Sequence, residues 1–132
     1  MDEIRIGLVG RSILTVTEED TAQAMGSGEL PVFATPALVA LMENAAVNAL
    51  SGHLPNGATT VGAHILVNHL APTPVGMAVS ATATLVEVAG NRFTFEITAS
   101  DERGEIGRAQ HKRVAVQAER FMKKVAEKQN EM

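Results

Sequence analysis

The stretch TPALVALMENAAVNALSG, residues 35–52, decides the fold of this chain. Threonine followed by proline is typical of a helix start, so Thr35 is predicted to be the N-cap and Pro36 the first helical residue. The run 37–50 is apolar on almost every side, and the Ser51–Gly52 pair predicts its end. A helix that is apolar all round is buried, so we predict one long central helix enclosed by the rest of the protein.

The chain after this helix is predicted to form a sheet. Turn residues such as Gly, Pro and Asn separate stretches rich in strand-forming residues, which span 59–70, 77–88, 92–100 and 105–117. The stretch 92–100 alternates cleanly and places Phe93, Phe95 and Ile97 on one face. We therefore predict four long antiparallel strands joined by tight turns.

The simplest way to bury both parts is an α+β arrangement in which the antiparallel sheet wraps around the helix. Four helix residues are then expected in the core beside the inward row of the sheet: Leu38, Leu41, Met42 and Val47. One sheet cannot enclose a helix on every side, so a second copy of the chain is expected to complete the cover. This predicts a homodimer, and the dimers could pair further into tetramers.

The two ends of the chain carry other patterns. The segment 13–17 favours a strand, and Thr17 followed by three acidic residues predicts a short helix that ends near Gly26. Residues 118–132 predict a charged, frayed helical tail. Without repeats or linkers, residues 1–132 are predicted to form one domain.

Composition argues against several classes of function. The formal net charge of −4 and the low aromatic content, four Phe with no Trp or Tyr, disfavour nucleic-acid binding. Cysteine is absent and the four histidines include no close helical pair, which disfavours a metal site. The start Met1–Arg5 does not resemble a signal peptide, and the apolar stretch 31–42 is too short to cross a bilayer. We predict a cytoplasmic protein without a membrane partner and without a cofactor.

Glu43 is the first candidate for chemistry, because it lies in the middle of the most apolar segment. A buried carboxylate is costly unless it is paired. One interpretation is a structural carboxylate that faces a groove or an Asn partner. The other is a carboxylate tuned by its surroundings to act as a base or a nucleophile.

His69 is the second candidate. Alternate residues of a strand share a face, so Val61, Ala63, Ile65 and Val67 are predicted to lie with His69 on the apolar face that meets the helix. The imidazole is either a hydrogen-bonded core residue or a catalytic group. Because the central carboxylate lies on the element that packs against this face, a joint functional interpretation is favoured.

Further polar residues leave alternatives open. His64 is predicted to be exposed and His53 to lie in a loop. His111 and Arg113 share an otherwise apolar face, which indicates either a dimer seam or a groove for an anionic ligand, with Arg113 then binding substrate. The basic residues of the tail form a solvated helix face or contact the phosphates of a nucleotide-bearing ligand: Arg120, Lys123 and Lys124.

Four segments, taken in order, resemble one family: the hotdog-fold acyl-CoA thioesterases related to fluoroacetyl-CoA thioesterase. These segments are VFATPALVALME at 32–43, VNHLAPTPVG at 67–76, GRAQHKR at 107–113 and ERF at 119–121. The resemblance implies a hotdog fold, two subunits per dimer and active sites near the subunit boundary. It implies Thr35, Glu43 and His69 as catalytic residues, the Gly62 backbone amide as a donor to the thioester carbonyl, and Phe33 as a pocket wall.

The activity implied by this resemblance is hydrolysis of a short-chain acyl-CoA thioester to the free acid and CoA, with Glu43 as nucleophile or as general base. Two other functions fit the same fold. One is a non-catalytic dimer that binds an acyl-CoA or another small carboxylic ligand, and the other is an enoyl-CoA hydratase or dehydratase. Pro36 and the stretch 44–46 differ from the related enzyme, so its acyl group is not carried over to this chain.

The spacing of two site candidates raises a geometric question. Thr35 and Glu43 are eight residues apart, which corresponds to about 12 Å of rise in one straight helix. Their side chains would then not touch. Either Thr35 lies in a segment that folds back, or the site combines groups from two subunits.

Overall fold

The structure, a computed structural model, describes residues 4–130. Its strands are β1 (Val9–Thr15), β2 (Ala58–His69), β3 (Ala78–Ala89), β4 (Arg92–Asp101) and β5 (Glu105–Gln117). Its α-helices are α1 (Ala22–Met25), α2 (Thr35–Leu50) and α3 (Ala118–Asn130), and a 3-10 turn covers Glu18–Asp20. The predictions made for residues 1–3 and 131–132 lie outside the described residues.

The strands form a curled antiparallel sheet in the order β1-β3-β4-β5-β2, with α2 packed on it. The α+β fold with a sheet around a central helix is therefore confirmed. The sheet has five strands rather than the four predicted, because β1 pairs with β3. That pairing joins segments far apart in the chain, and no hairpin turn links them in the sequence.

Gly10 explains how β1 can lie so close to α2. A Cβ atom at this position would run into the backbone of Ala45 and Ala49 in the helix. Glycine therefore lets the strand and the helix approach at backbone distance.

The start of α2 differs from its prediction. The N-cap residue is Ala34, Thr35 is the first helical residue, and no side chain caps the helix. The predicted cap role of Thr35 is wrong by one position, so the Thr35 hydroxyl is free for another partner. Thr17 does begin a short turn as predicted, since its N–H and hydroxyl both donate to the Asp20 carboxylate.

The core contains most of the predicted residues. Leu38, Leu41 and Met42 are buried, as is the inward row of β4: Phe93, Phe95, Ile97 and Ala99. The prediction for Val47 is wrong, because this side chain is 41% exposed. It shares an exposed side of α2 with Asn44 and Asn48, whose side chains hydrogen-bond to Ser12 and Arg11 of β1.

A β-bulge in β2 changes which residues face the helix. Ile65, Val67 and His69 lie opposite inward residues of β5, but the register shifts between Gly62 and His64. An extra residue reverses the alternation, so Val61 and Ala63 do not share the face of Ile65 as predicted. Gly62 takes the inward position, since a Cβ atom there would lie 2.7 Å from Oε2 of Glu43.

Within residues 4–130, no helix is both long enough and apolar enough to span a lipid bilayer.

Candidate active site

The first turn of α2 meets the last residue of β2. His69 lies opposite Gly107 in β5, and a Cβ atom at Gly107 would lie 3.0 Å from Leu38 in the helix. This packing brings Oγ1 of Thr35 to 2.8 Å from Nδ1 of His69. The hydroxyl that sequence analysis assigned to helix capping is instead hydrogen-bonded to the imidazole. We refer to Thr35 and His69 as the hydroxyl–imidazole pair.

This pair borders a cavity of about 310 Å³ between α1, the start of α2 and the end of β2. The lining residues are Ala22, Ser27, Val32, Phe33, Thr35, His69, Leu70, Ala71 and Pro72. Phe33 is buried and forms part of the wall of this cavity. The cavity therefore combines apolar walls with a hydroxyl and an imidazole, the kind of lining typical of small-ligand sites.

The second ring nitrogen of His69 remains available to a ligand. This Nε2 atom is buried and makes no hydrogen bond of good geometry within residues 4–130, although the Ala71 backbone interacts with the ring and partly opposes the lowering of its pKa. Burial lowers the pKa of His69, which favours the neutral ring at pH 7. A neutral imidazole with one nitrogen held by a hydroxyl and the other open can exchange a proton with a ligand or a water molecule.

Glu43 lies two turns further along α2 and has a different partner. Its Oε2 atom is 3.5 Å from Nη1 of Arg113 on β5. The Arg113 side chain is 8% exposed and the Glu43 side chain 40% exposed. We refer to Glu43 and Arg113 as the carboxylate–guanidinium pair. The pair explains why a cation occupies the helix-facing row of β5. The sequence could have indicated this contact, because Glu43 and Arg113 are opposite charges that both face the core.

Sequence analysis missed Thr60, which together with His111 holds this guanidinium in place. Nε of Arg113 donates to Thr60 Oγ1 at 2.9 Å, and Nη2 donates to the Thr60 carbonyl oxygen at 3.1 Å. Nη1 lies 3.1 Å from Nε2 of His111. His111 is fully buried, and its Nδ1 atom lies 2.8 Å from the His64 carbonyl oxygen. Thr60 joins the helix-facing row only because of the bulge, which explains why alternation did not reveal it.

Gly62 belongs to the second group of residues. Any side chain at this position would run into the Glu43 carboxylate, so glycine leaves room for that carboxylate beside the strand. The backbone of Gly62 therefore lies near Glu43 rather than near the hydroxyl–imidazole pair.

One chain thus holds two separate groups of candidate residues. Thr35 and Glu43 belong to one continuous helix, so the possibility that Thr35 folds back is wrong. Within residues 4–130, Glu43 makes its hydrogen bond to Arg113 and none to Thr35 or His69.

The remaining polar candidates lie outside both groups. His64 is exposed as predicted, and His53 lies in the turn after α2. Arg120, Lys123 and Lys124 are exposed on α3. In the described part of the chain, no group of three or more His, Asp or Glu side chains is placed to hold a metal ion.

Known proteins resemble this chain in sequence and in fold. The sequence profile of the fluoroacetyl-CoA-specific thioesterases matches residues 16–119. The fluoroacetyl-CoA thioesterase of Streptantibioticus cattleyicolor is 41% identical over 97 residues, which is 74% of this chain and 70% of that protein.

Solved structures give the same result. A crystal structure of a point mutant of the fluoroacetyl-CoA-specific thioesterase superposes with a TM-score of 0.91 at 34% identity, covering 97% of this chain and 99% of that one. A thioesterase superfamily member from Thermus thermophilus superposes with a TM-score of 0.89 at 27% identity over the full length of both chains. A hotdog-like protein from Thermanaerovibrio acidaminovorans has a TM-score of 0.86 at 31% identity, covering 95% and 93%.

The class of protein defined by this fold and these similarities is the hotdog-fold acyl-CoA thioesterase, an enzyme. Within that class, the chain belongs to the family of fluoroacetyl-CoA-specific thioesterases.

Proposed function

We propose that the chain hydrolyses a short-chain acyl-CoA thioester to the free acid and CoA, with Thr35, Glu43 and His69 as the catalytic residues. The observation that supports this proposal is the 2.8 Å contact between Thr35 Oγ1 and His69 Nδ1. Both residues line the cavity, and the Nε2 atom of His69 is left to contact a ligand there. A cavity of about 310 Å³ suits a small acyl group and its thioester.

His69 is proposed to move the proton. Thr35 orients the ring through Nδ1, so that Nε2 can take up the proton that the attacking water releases, directly or by way of Glu43, and deliver it to the departing CoA thiolate. The lowered pKa of His69 favours a ring that is neutral in the resting enzyme and can accept a proton during turnover.

Glu43 is proposed to attack the thioester or to activate water. As general base, the carboxylate removes a proton from a water molecule, whose oxygen bonds to the acyl carbon while the carbon–sulfur bond breaks. As nucleophile, it forms an acyl anhydride and expels the CoA thiolate, and water then cleaves the anhydride. Turnover in ¹⁸O-labelled water tests the second route: if water attacks the Glu43 carboxyl carbon of the anhydride, the label enters Glu43, whereas the general-base route places the label only in the product acid.

Two further groups are proposed to bind the substrate near Glu43. The Gly62 amide donates to the oxygen of the thioester carbonyl, where negative charge develops as the acyl carbon is attacked. Arg113 adds positive charge close to Glu43 and to that oxygen. Beside the hydroxyl–imidazole pair, Phe33 is proposed to line the pocket for the acyl chain.

A homodimer is proposed to unite the two groups of residues. β2 lies at the edge of the sheet and pairs on one side with β5, which leaves a long open edge. Antiparallel pairing of two such edges about a twofold axis would direct His69 of one subunit toward Gly62 and Glu43 of the other. The same dimer would cover the exposed side of α2 at Val47.

The direct test is the release of free thiol from a panel of acyl-CoAs that differ in acyl length. We expect turnover with short acyl groups and a decline as the chain outgrows the cavity. A protein that only binds acyl-CoA would release no thiol. A hydratase would instead change the absorbance of an enoyl-CoA without releasing CoA, and either outcome would contradict the proposed reaction.

A further inference from the structure

The tautomer of one buried histidine follows from its surroundings. His111 is 1% exposed, and its Nδ1 atom lies 2.8 Å from the His64 carbonyl oxygen. A carbonyl oxygen only accepts hydrogen bonds, so Nδ1 must carry a proton. In a neutral ring with this tautomer, Nε2 is an acceptor.

The group facing that acceptor is a permanent cation. Nη1 of Arg113 lies 3.1 Å from Nε2 of His111, and guanidinium nitrogens only donate. A protonated His111 would place an N–H group against this N–H group, in the buried space beside a second positive charge. The arrangement therefore requires a neutral His111.

The surroundings of His111 are otherwise simple. The charged and titratable groups near it are Arg113 on its own strand, Glu43 on α2 and the exposed His64 on β2, while β4 presents Phe95. Burial is the main reason that the pKa of His111 is lowered. The neutral ring is thus the resting form that both the geometry and the surroundings favour.

Arg113 is held away from a tight ion pair. Thr60 accepts from two of its nitrogens, and His111 accepts from the third, at 2.9 to 3.1 Å. The same Nη1 atom is 3.5 Å from Oε2 of Glu43, whereas charge-assisted N–H···O contacts are usually about 2.7–2.9 Å. At this separation the guanidinium lies beside the carboxylate but does not engage it in a short hydrogen bond.

We propose that His111 is a positioning residue: its neutral ring accepts from Arg113 and holds the guanidinium at a distance that leaves the Glu43 carboxylate able to react. This inference rests on the proposed function, because it concerns how Glu43 is kept available. Loss of the acceptor would free Nη1 to close onto Glu43 and occupy the oxygen that must attack the thioester or accept the proton of water.

The kinetic test compares His111→Leu, which removes the acceptor, with His111→Gln, whose amide oxygen can still accept from Arg113. We expect kcat to fall by about 10-fold or more in the leucine variant, the usual effect of losing a hydrogen bond to a charged group, and to stay within about 3-fold in the glutamine variant. KM should change less than kcat. Gln110→Leu, an exposed position on the same strand, is the matched control.

A double mutant shows whether His111 acts through Arg113. In an Arg113→Met background, His111→Leu should cause no further loss of kcat, since the group that it positions is gone. Losses that multiply, or a folded His111→Leu protein with wild-type kcat, would overturn the proposal. Melting curves of every variant identify those that merely fail to fold.

A spectroscopic measurement tests the inference independently of activity. Long-range ¹H–¹⁵N spectra at pH 7 should show His111 protonated at Nδ1 and unprotonated at Nε2, with the signal assigned by its loss in His111→Leu. An imidazolium or the opposite tautomer would overturn the proposal even in an active enzyme. If wild-type protein releases no thiol from any acyl-CoA, the proposed function fails. The tautomer measured for His111 would still show whether its ring accepts a hydrogen bond from Arg113.

Discussion

At the scale of single residues, Thr35 shows how one side chain can fit two roles. Thr before Pro is the usual pattern of a helix cap, yet the cap position falls on Ala34 and the Thr35 hydroxyl contacts His69 instead. The two roles predict different mutant behaviour, because a side-chain cap contributes to stability and a catalytic hydroxyl to turnover.

Thr35→Ala is therefore expected to lower turnover more than stability. Removal of a side-chain cap typically costs about 1 kcal/mol, but no such cap exists here, so the melting temperature should stay close to that of the wild type. Thr35→Ser keeps the hydroxyl and serves as the matched control. A lower melting temperature with unchanged thiol release would show that the contact between Thr35 and His69 is structural and not catalytic.

Glu43→Gln and His69→Ala test the proposed acid–base chemistry. Each should lower turnover by at least about 10²-fold, the usual contribution of a positioned acid or base. Both proteins should still fold, because Thr60 and His111 keep their hydrogen bonds to Arg113 when the long contact with Glu43 is lost. Among residues 4–130, the His69 side chain makes one hydrogen bond of good geometry, to the exposed Thr35. Thiol release is measured on the best substrate of the panel, with His53→Gln as a control histidine outside both groups. Wild-type turnover in both variants would leave the fold intact and remove the catalytic assignment.

The two buried histidines also predict how stability depends on pH. Burial lowers the pKa of both His69 and His111, so the folded state binds protons less readily than the unfolded chain, whose histidines titrate near 6.5. The stabilisation is present above pH 6.5 and is lost as the pH falls through the lowered pKa values of the folded state.

Urea unfolding measured from about pH 8 down to about pH 5 should show this decline in the free energy of unfolding. The lower limit avoids the Asp101 carboxyl, whose pKa is lowered chiefly by the Arg103 backbone N–H and which titrates in a more acidic range. His111→Gln should flatten the dependence. A curve that is level over this range in the wild type would show that neither imidazole is held neutral by folding.

At the scale of elements, the packing of α2 on the sheet determines stability. Leu41 is buried between helix and sheet, so Leu41→Ala should lower the free energy of unfolding by about 2–5 kcal/mol. Ile13 is 72% exposed on β1, and Ile13→Ala is the matched control with an expected change of no more than about 0.5 kcal/mol. Denaturant unfolding provides both values. Equal stability of Leu41→Ala and wild type would contradict the central position of α2.

The bulge in β2 is the other decisive feature at this scale. It brings Thr60 and Gly62 onto the helix-facing row, while Ile65 and His69 keep theirs. Strict alternation places one of these two sets on the wrong face. A single inserted residue thus allows one strand to serve both groups of candidate residues.

At the scale of the whole molecule, the proposed site joins the two groups of residues across two subunits. Light scattering at micromolar concentration should report a dimer, and a particle of 13.9 kDa would contradict the shared site. Mixing unfolded Glu43→Gln and His69→Ala proteins and refolding them should restore thiol release, because a mixed dimer contains one site free of both changes. No recovery in mixed dimers would indicate that each site lies within one subunit.

Sequence patterns predicted the central helix, the alternation of β4 and the turns, because these depend on short windows of the chain. They also indicated Glu43 and His69 as candidates, since polar groups stand out against apolar surroundings, whereas Thr35 became a site candidate only through the family resemblance. The pairing of β1 with β3, the bulge in β2 and the exposed side of α2 were decided only by the tertiary structure. Each depends on contacts between segments distant in the chain, and local propensity carries no information about such contacts. The hydrogen bonds of Thr60 and His111 to Arg113 also depend on the tertiary structure. Strand register and the one-residue insertion in β2 determine which of these side chains meet.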